Sequence, residues 1–412
     1  MTHNRSRFGT AALALAVVLT LSASKPVSRE AGSVADLTPS SDPRLIVHEW
    51  GTFTSIAGKD GAAVQWRPLD GLSDLPGFVY DTSGLSKGVG LRSGQLCLKC
   101  NLEALVRMET PVLYFYANRE TIVSVSVEFP KGKITEWYPQ ARLVYNSDRG
   151  GMIDWGRVSV VPGGPSDFPV ESKDSHYYPA RETDATPLRV CGKTEQQHEK
   201  FLFYRGVGTF DLPLSARLTD ENLVIKNLGR ENVPQFILFE NRDGKIGYRI
   251  HDLFKGEVAV ERPALDQTID TLVRDLETIL VANGLYEKEA RAMIKTWRDS
   301  WFEPGMRVFY IVPRKLTDSI LPIKIEPAPA ELTRVLVGRM EVITPEAERS
   351  IIQQVAKLGG SSAEIRNEAA TIIRRHGRFS EPVLKNIREQ ITDPKLRARI
   401  DQLLSLAREG AD

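Results

Sequence analysis

Ile122–Phe129 reads IVSVSVEF, and its alternation decides the fold class. Val123, Val125, Val127 and Phe129 fall on one side of an extended chain, Ser124, Ser126 and Glu128 on the other. A period of two is the mark of a strand with one buried face. Similar short runs recur on both sides: Leu45–Trp50, Val112–Tyr116, Ile134–Tyr138, Arg142–Tyr145, Arg157–Val161 and Phe201–Tyr204. They continue through Ser215–Leu218, Leu223–Lys226, Gln235–Glu240, Ile246–His251 and Glu257–Val260. Turn formers separate them, as in Asn146-Ser147-Asp148, Pro162-Gly163-Gly164-Pro165 and Asn241-Arg242-Asp243-Gly244. Many short strands at this spacing predict a mainly β, antiparallel, sandwich-like body over residues 44–262. Strands do not alternate with helices, which argues against a doubly wound nucleotide-binding fold.

At Pro263 the period changes. Leu265, Ile269, Leu272, Leu276 and Ile279 recur at helical spacing, with Gly284 as a stop and a second helix from Glu287 to Ser300. Two strands, Met306–Val312 and Arg334–Val342, follow, so 263–343 reads as a helical hairpin plus strands, an α/β extension packed on the β-body. From Thr344 the chain is helical. Thr344-Pro345-Glu346 offers a capping hydroxyl, proline at the first helical position and an acid in the first turn. Helices are expected at 345–357, 362–376, 381–391 and 394–408, breaking at Ser380-Glu381-Pro382 and Thr392-Asp393-Pro394.

The N-terminus carries a signal-peptide pattern over residues 1–24. Arg5 and Arg7 precede an apolar run of eleven residues, Ala11–Leu21, and Ser22-Ala23-Ser24 supplies small residues for cleavage. Eleven residues are too few to cross a bilayer, which takes about 20. Residues 25–43, rich in Ser, Pro, Ala and Asp, read as a linker. The expectation is an exported, periplasmic or extracellular protein with no stable transmembrane anchor. The 412 residues hold 54 Lys plus Arg against 53 Asp plus Glu. That balance gives no footprint for nucleic acid.

Three cysteines follow the leader. Cys97 and Cys100 form a CxxC, and Cys191 stands alone. An oxidising compartment favours a disulfide and leaves one thiol over. Two alternatives stay open. One is a redox pair, if Asn101–Met108 forms a helix behind the CxxC. The other is zinc or another divalent metal held by Cys97, Cys100 and Cys191 with His176 or His198, since tetrahedral zinc takes four ligands. Otherwise no cofactor is expected.

Two polar groups could carry chemistry. His48 and Glu49 are neighbours on the first strand and so point to opposite faces. His176, Arg181, Glu182 and Asp184 form the densest polar cluster of a loop region, and Arg205 is close enough in sequence to pair with its acids. These groups could recognise an anion, bind a metal or do acid–base work; they could equally be a salt-bridged loop. No HExxH, GxSxG or P-loop motif stands in the context that its chemistry needs. Trp297 and Trp301 share a helix face and read as core.

Ala363–Leu404 (AEIRNEAATIIRRHGRFSEPVLKNIREQITDPKLRARIDQLL) resembles a degenerate HEAT-type repeat, with small Ala369 where helices approach and Asp393-Pro394 before a helix containing Arg. The resemblance implies a packing or interaction module, hence a protein partner through the C-terminal helices of 344–412. VHEWGTFTS (Val47–Ser55), METPVLYFYANRETIVSVSVEFPKGKITEWYP (Met108–Pro139), ARETDATPLRV (Ala180–Val190), EKFLFYRGVG (Glu199–Gly208) and TWRDSWFEPGMRVFYIVPR (Thr296–Arg314) resemble a group of exported bacterial proteins without an assigned activity. That resemblance implies export and carries over no catalytic residues. The leading expectation is a non-enzymatic binding or scaffold protein. The alternative is a metal-dependent or hydrolase-type enzyme joining His48 or Glu49 to His176, Arg181, Glu182, Asp184 and Arg205.

Overall fold

The computed structural model describes residues 44–69, 75–82, 102–146, 150–171, 175–192, 195–219 and 222–406. The leader and linker expected at 1–43 and the Cys97–Cys100 pair lie outside them. In chain order the strands are β1 (Ile46–Ala57), β2 (Tyr80–Asp81), β3 (Val106–Tyr116), β4 (Thr121–Phe129), β5 (Gly132–Tyr138), β6 (Arg142–Asn146) and β7 (Gly150–Val160). They continue with β8 (Leu188–Cys191), β9 (Gln196–Glu199), β10 (Leu202–Gly208), β11 (Leu214–Leu218), β12 (Asn222–Asn227), β13 (Val233–Arg242), β14 (Lys245–Phe254) and β15 (Glu257–Glu261). Then come α1 (Ile269–Ala282), α2 (Glu287–Trp301), β16 (Gly305–Ile311), α3 (Arg314–Ile320), β17 (Ile323–Glu326) and β18 (Glu331–Val342). The tail holds α4 (Pro345–Leu358), α5 (Ala363–Arg375), α6 (Ser380–Gln390) and α7 (Pro394–Leu406).

A nine-stranded sheet, ordered β14-β13-β16-β18-β1-β3-β10-β5-β2, forms the middle layer. One face packs on a six-stranded sheet built around β4 and β7 and on a three-stranded sheet β11-β12-β15. The core between them includes Val47, Phe53, Phe115, Val125, Phe129, Leu223 and Leu336. The opposite face is covered by α1 and α2 and by the segments around Phe78 and Tyr177. β4 shows the expected alternation: Val123, Val125, Val127 and Phe129 are buried while Ser124 and Glu128 are exposed. β1 does not, because both of its faces are covered and eleven of its twelve residues are buried.

The strands after the helical hairpin do not sit outside the sheet. β16 and β18 lie in its middle, and β18 runs parallel to β1 over its whole length, pairing Ile46 with Glu331 and Ala57 with Val342. The large sheet is therefore mixed rather than purely antiparallel. The short helix considered at Asn101–Met108 is also absent from its described part. Val106 and Met108 face the inter-sheet core and alternate with Arg107 and Glu109, so this stretch joins β3.

The helical elements follow their caps. Thr268 Oγ1 accepts from Thr271 N–H at 3.2 Å to open α1, and Gly284, at φ 108°, lets the chain turn beyond its end. Thr344 Oγ1 does the same for α4 through Ala347 N–H at 3.2 Å. The tail has its own core of Ile351, Val355, Leu358, Ile373, Leu384 and Ile400, with Ala369 fully buried.

Candidate functional site

His48 and Glu49 are both fully buried, on opposite faces of β1. His48 faces α2, where its Nδ1 lies 2.8 Å from Glu289 Oε2. A carboxylate only accepts, so Nδ1 carries the proton and Nε2 is the basic nitrogen. Nε2 is buried without a hydrogen-bond partner, 3.9 Å from the exposed Glu331 carboxylate. Glu289 also accepts from Tyr116 Oη at 2.7 Å and from Tyr286 N–H at 2.8 Å, so one carboxylate caps α2, fixes an imidazole and holds a phenol. Burial and then Glu289 push the Tyr116 hydroxyl well above its usual pKa. The Tyr286 ring covers His48 at 4.4 Å. On the other face, Glu49 accepts from Tyr204 Oη and from Arg334 Nε, each at 2.5 Å. Burial alone would lower the Arg334 guanidinium, but Glu49 more than offsets it and raises it.

The loop cluster is tied to other elements. Arg181 forms a bidentate pair with buried Glu199, Nε to Oε1 at 2.9 Å and Nη2 to Oε2 at 2.6 Å. Its guanidinium also lies 5.0–5.9 Å from the centroids of Tyr178, Phe168, Tyr177 and Phe78. Burial pushes Glu199 up, and Arg181, Lys200 N–H and Tyr177 hold that rise back. Lys288 and Lys295, seven residues and hence two turns apart on α2, take Asp184 and Glu182, each at 2.6 Å. Those are the acids expected beside Arg205. Arg205 instead lies buried in β10, where its charge acts on Glu109 of β3. The loop runs over the α2 side of the sheet, and the α2 lysines reach its acids first. His176 stacks on Trp297 at 5.6 Å and its Nδ1 donates to Thr296 O at 2.7 Å, with Nε2 3.4 Å from Asp299. Trp297 and Trp301 are buried, as core.

Cys191 ends β8 as an exposed free thiol, and His198 is half-buried on β9 opposite Arg189. No three His, Cys, Asp or Glu side chains converge as a metal site among the described residues. Nor is any helix among them long and apolar enough to cross a membrane.

A second constellation was not singled out from the sequence. Arg307 on β16 and Arg339 and Glu341 on β18 are fully buried. Glu341 accepts from Arg307 Nε at 3.0 Å and from Arg339 Nε at 2.6 Å. Arg307 also donates to the carbonyls of Trp301, Glu303 and Pro304 at 2.6, 2.7 and 3.1 Å. Arg339 reaches Glu303 at 2.8 Å, and Arg378 of the tail reaches the same Glu303 oxygen at 3.1 Å. Burial opposes ionisation of Glu341, but Arg307, Arg339 and Arg378 outweigh it and hold the carboxyl at about 2. Desolvation, with Arg378 and Arg307 alongside, draws Arg339 down to about 10 despite Glu341. The signal was present: isolated charges inside MRVFYI and RVLVGRMEV, with Arg339 and Glu341 two residues apart and so on one face.

No family model matches the chain, and no curated protein matches it. Among solved structures it is similar to the yeast delta-COP-I mu-homology domain complexed with Dsl1 WxWxV peptide. That likeness has 8% identity and a TM-score of 0.24, over 73% of this chain and 96% of that one, and it is too distant to bear on function.

Proposed function

We propose that the chain is an exported, non-enzymatic binding or scaffold protein. One observation carries the reading. The side chains nominated for chemistry are divided between the two faces of the central sheet, and each is engaged by a neighbour: His48 by Glu289, Glu49 by Arg334, Arg181 by Glu199, Glu182 and Asp184 by lysines of α2. A catalytic set needs such groups to converge on one reacting atom. The HEAT-like tail supplies the surface expected to meet a protein partner, and the N-terminal pattern supplies export.

An enzyme reading has one observation in its favour. Glu289 holds His48 through Nδ1 and leaves Nε2 without a hydrogen-bond partner, the orientation in which a general base is held. Turnover of a panel of chromogenic esters, amides and phosphoesters by the purified mature chain, beside its His48→Gln variant, separates the two readings. Metal content by mass spectrometry is read in the same samples. No turnover and no stoichiometric metal is the expected result. Turnover that vanishes in His48→Gln would overturn the binding-protein reading.

A further inference from the structure

The tail has a core of its own, built on Ile351, Val355, Ile373, Leu384 and Ile400. The chain passes into it in a single step. Val342, the last residue of β18, lies in the core between the sheets, and Ile343 packs against the tail core. Among the described residues no apolar cluster spans the two. The tail helices pack closely on one another and on the turn at Gly377–Phe379. Phe379 itself rests on Gly305 of the body, where an added Cβ would come 2.8 Å from its ring. Beside it a cleft of about 570 Å³ lies open between α4, the α5–α6 corner and the β13–β14 turn.

Charge holds the seam instead. Lys59 Nζ lies 2.7 Å from Glu348, Arg262 Nη1 3.2 Å from Glu346 and Arg378 Nη2 3.1 Å from Glu303. Arg67 reaches Glu381 through Nε and through its backbone N–H, each at 3.2 Å, and also donates to Leu404 O. Lys385 Nζ lies 2.7 Å from Glu103. In every pair one partner belongs to the body and the other to the tail. Lys59–Glu348 and Lys385–Glu103 are open to solvent and so weaken with salt. Arg67, Glu381 and Arg378 are largely covered. A covered pair gives up the hydration of both ions, which offsets its attraction; parting the pair restores water to both at once and strands neither. Behind Arg378, Glu341 keeps Arg307 and Arg339, and Glu303 keeps Arg339.

We propose that the tail is a latched module, held on the body by these ion pairs and leaving it as a folded unit that turns at the Val342–Ile343 junction. Separate cores mean that detachment breaks no shared apolar packing, and the tail keeps its own. Ionic strength, rather than unfolding, then sets the fraction of open chains. Release uncovers the α5–α6 corner around Phe379, the surface that the body otherwise occupies. The inference concerns where the tail sits and stands apart from the binding-protein reading, since turnover has no part in its test.

Hydroxyl-radical footprinting of the full mature chain reads side-chain exposure at Phe379 of the seam and at Ile351 and Leu384 of the tail core. Small-angle scattering and far-UV ellipticity are read on the same samples. Salt is raised from about 0.01 M to about 1 M, which shortens the screening length from about 30 to about 3 Å. The expected result is a severalfold rise in Phe379 oxidation and a larger radius of gyration, with Ile351 and Leu384 still protected and ellipticity unchanged. Lys59→Glu with Glu103→Lys, both at exposed positions of the body, should open the seam already at low salt. Adding the complementary Glu348→Lys and Lys385→Glu should close it again. Phe379 and the radius of gyration unmoved by salt and by the reversal would overturn the proposal, as would a reversal that the tail-side swap leaves uncorrected. Oxidation of Ile351 and Leu384 rising in step with Phe379 would overturn it too, because the tail would then unfold rather than detach.

Discussion

Glu341→Gln removes the carboxylate shared by Arg307 and Arg339 while keeping the size of the side chain. The carboxyl stands at about 2 in the folded chain against an ordinary 4.5. That difference corresponds to about 3 kcal/mol of preference for the ionised, folded state at neutral pH. Loss of one partner from a buried ion pair costs about 3–5 kcal/mol by analogy with other proteins, a consistent range. The sign follows from the folded value being the lower one. The stabilisation is fully present above about 4.5, shrinks as pH falls, and is gone below about 2, where the native carboxyl is as neutral as the amide. Urea unfolding of the mature chain and of Glu341→Gln across this window gives a difference curve in which carboxylates common to both chains cancel. The curve should stand near 3 kcal/mol at pH 7 and close towards zero near pH 2. A flat difference, or one below about 0.5 kcal/mol at pH 7, would refute the assignment of Glu341 as the counter-ion of this network.

Two further substitutions test the packing around it. A Cβ on Gly338 would lie 2.0 Å from Tyr310 Cζ, because the Tyr310 ring lies over its cross-strand partner, so Gly338→Ala should destabilise by about 3 kcal/mol or prevent folding; unchanged denaturation midpoints would contradict this. Arg181→Lys keeps the charge but loses the bidentate fork to Glu199 and the stacking among four aromatic rings, and should cost about 2–4 kcal/mol. A cost under about 0.5 kcal/mol would mean that the loop is not anchored through this pair.

What was legible in the sequence is what local rules decide. The β4 alternation, the α1 face, the Thr344 cap and the break at Asp393-Pro394 each need only neighbours within a few residues, and the elements form as read. The opposite facing of His48 and Glu49 was also readable, since the side-chain period of a strand is two. What was not legible depends on partners far away in the chain. β18 finds β1 across 285 residues, from Glu49 to Arg334, and nothing in either strand announces a parallel neighbour. Glu289 lies 241 residues from His48, so the partner that holds the imidazole could not be read from its neighbours in sequence. The Arg205 expectation failed for the same reason: proximity in sequence suggested Glu182 and Asp184, while α2 had two lysines aligned to take them.

The buried charges follow from one obligation at the end of α2. A helix leaves its last carbonyls without intrahelical donors and carries partial negative charge there. α2 ends against the central sheet, and from β16 Arg307 reaches its last carbonyl, Trp301 O, together with the Glu303 and Pro304 oxygens just beyond the helix. A buried guanidinium needs a counter-ion, and Glu341 provides it from the adjacent strand β18. Glu341 also draws in Arg339, two residues away on the same face, and Arg339 in turn holds Glu303 just beyond the helix. Glu303 then meets Arg378 at the α5–α6 corner, so the chain of compensation runs from a helix terminus through the sheet to the tail. The tail is thereby bound to the body at a point where charge has already been paired inward. Arg378 Nη1 is left buried there without a hydrogen-bond partner, 3.8 Å from Glu341.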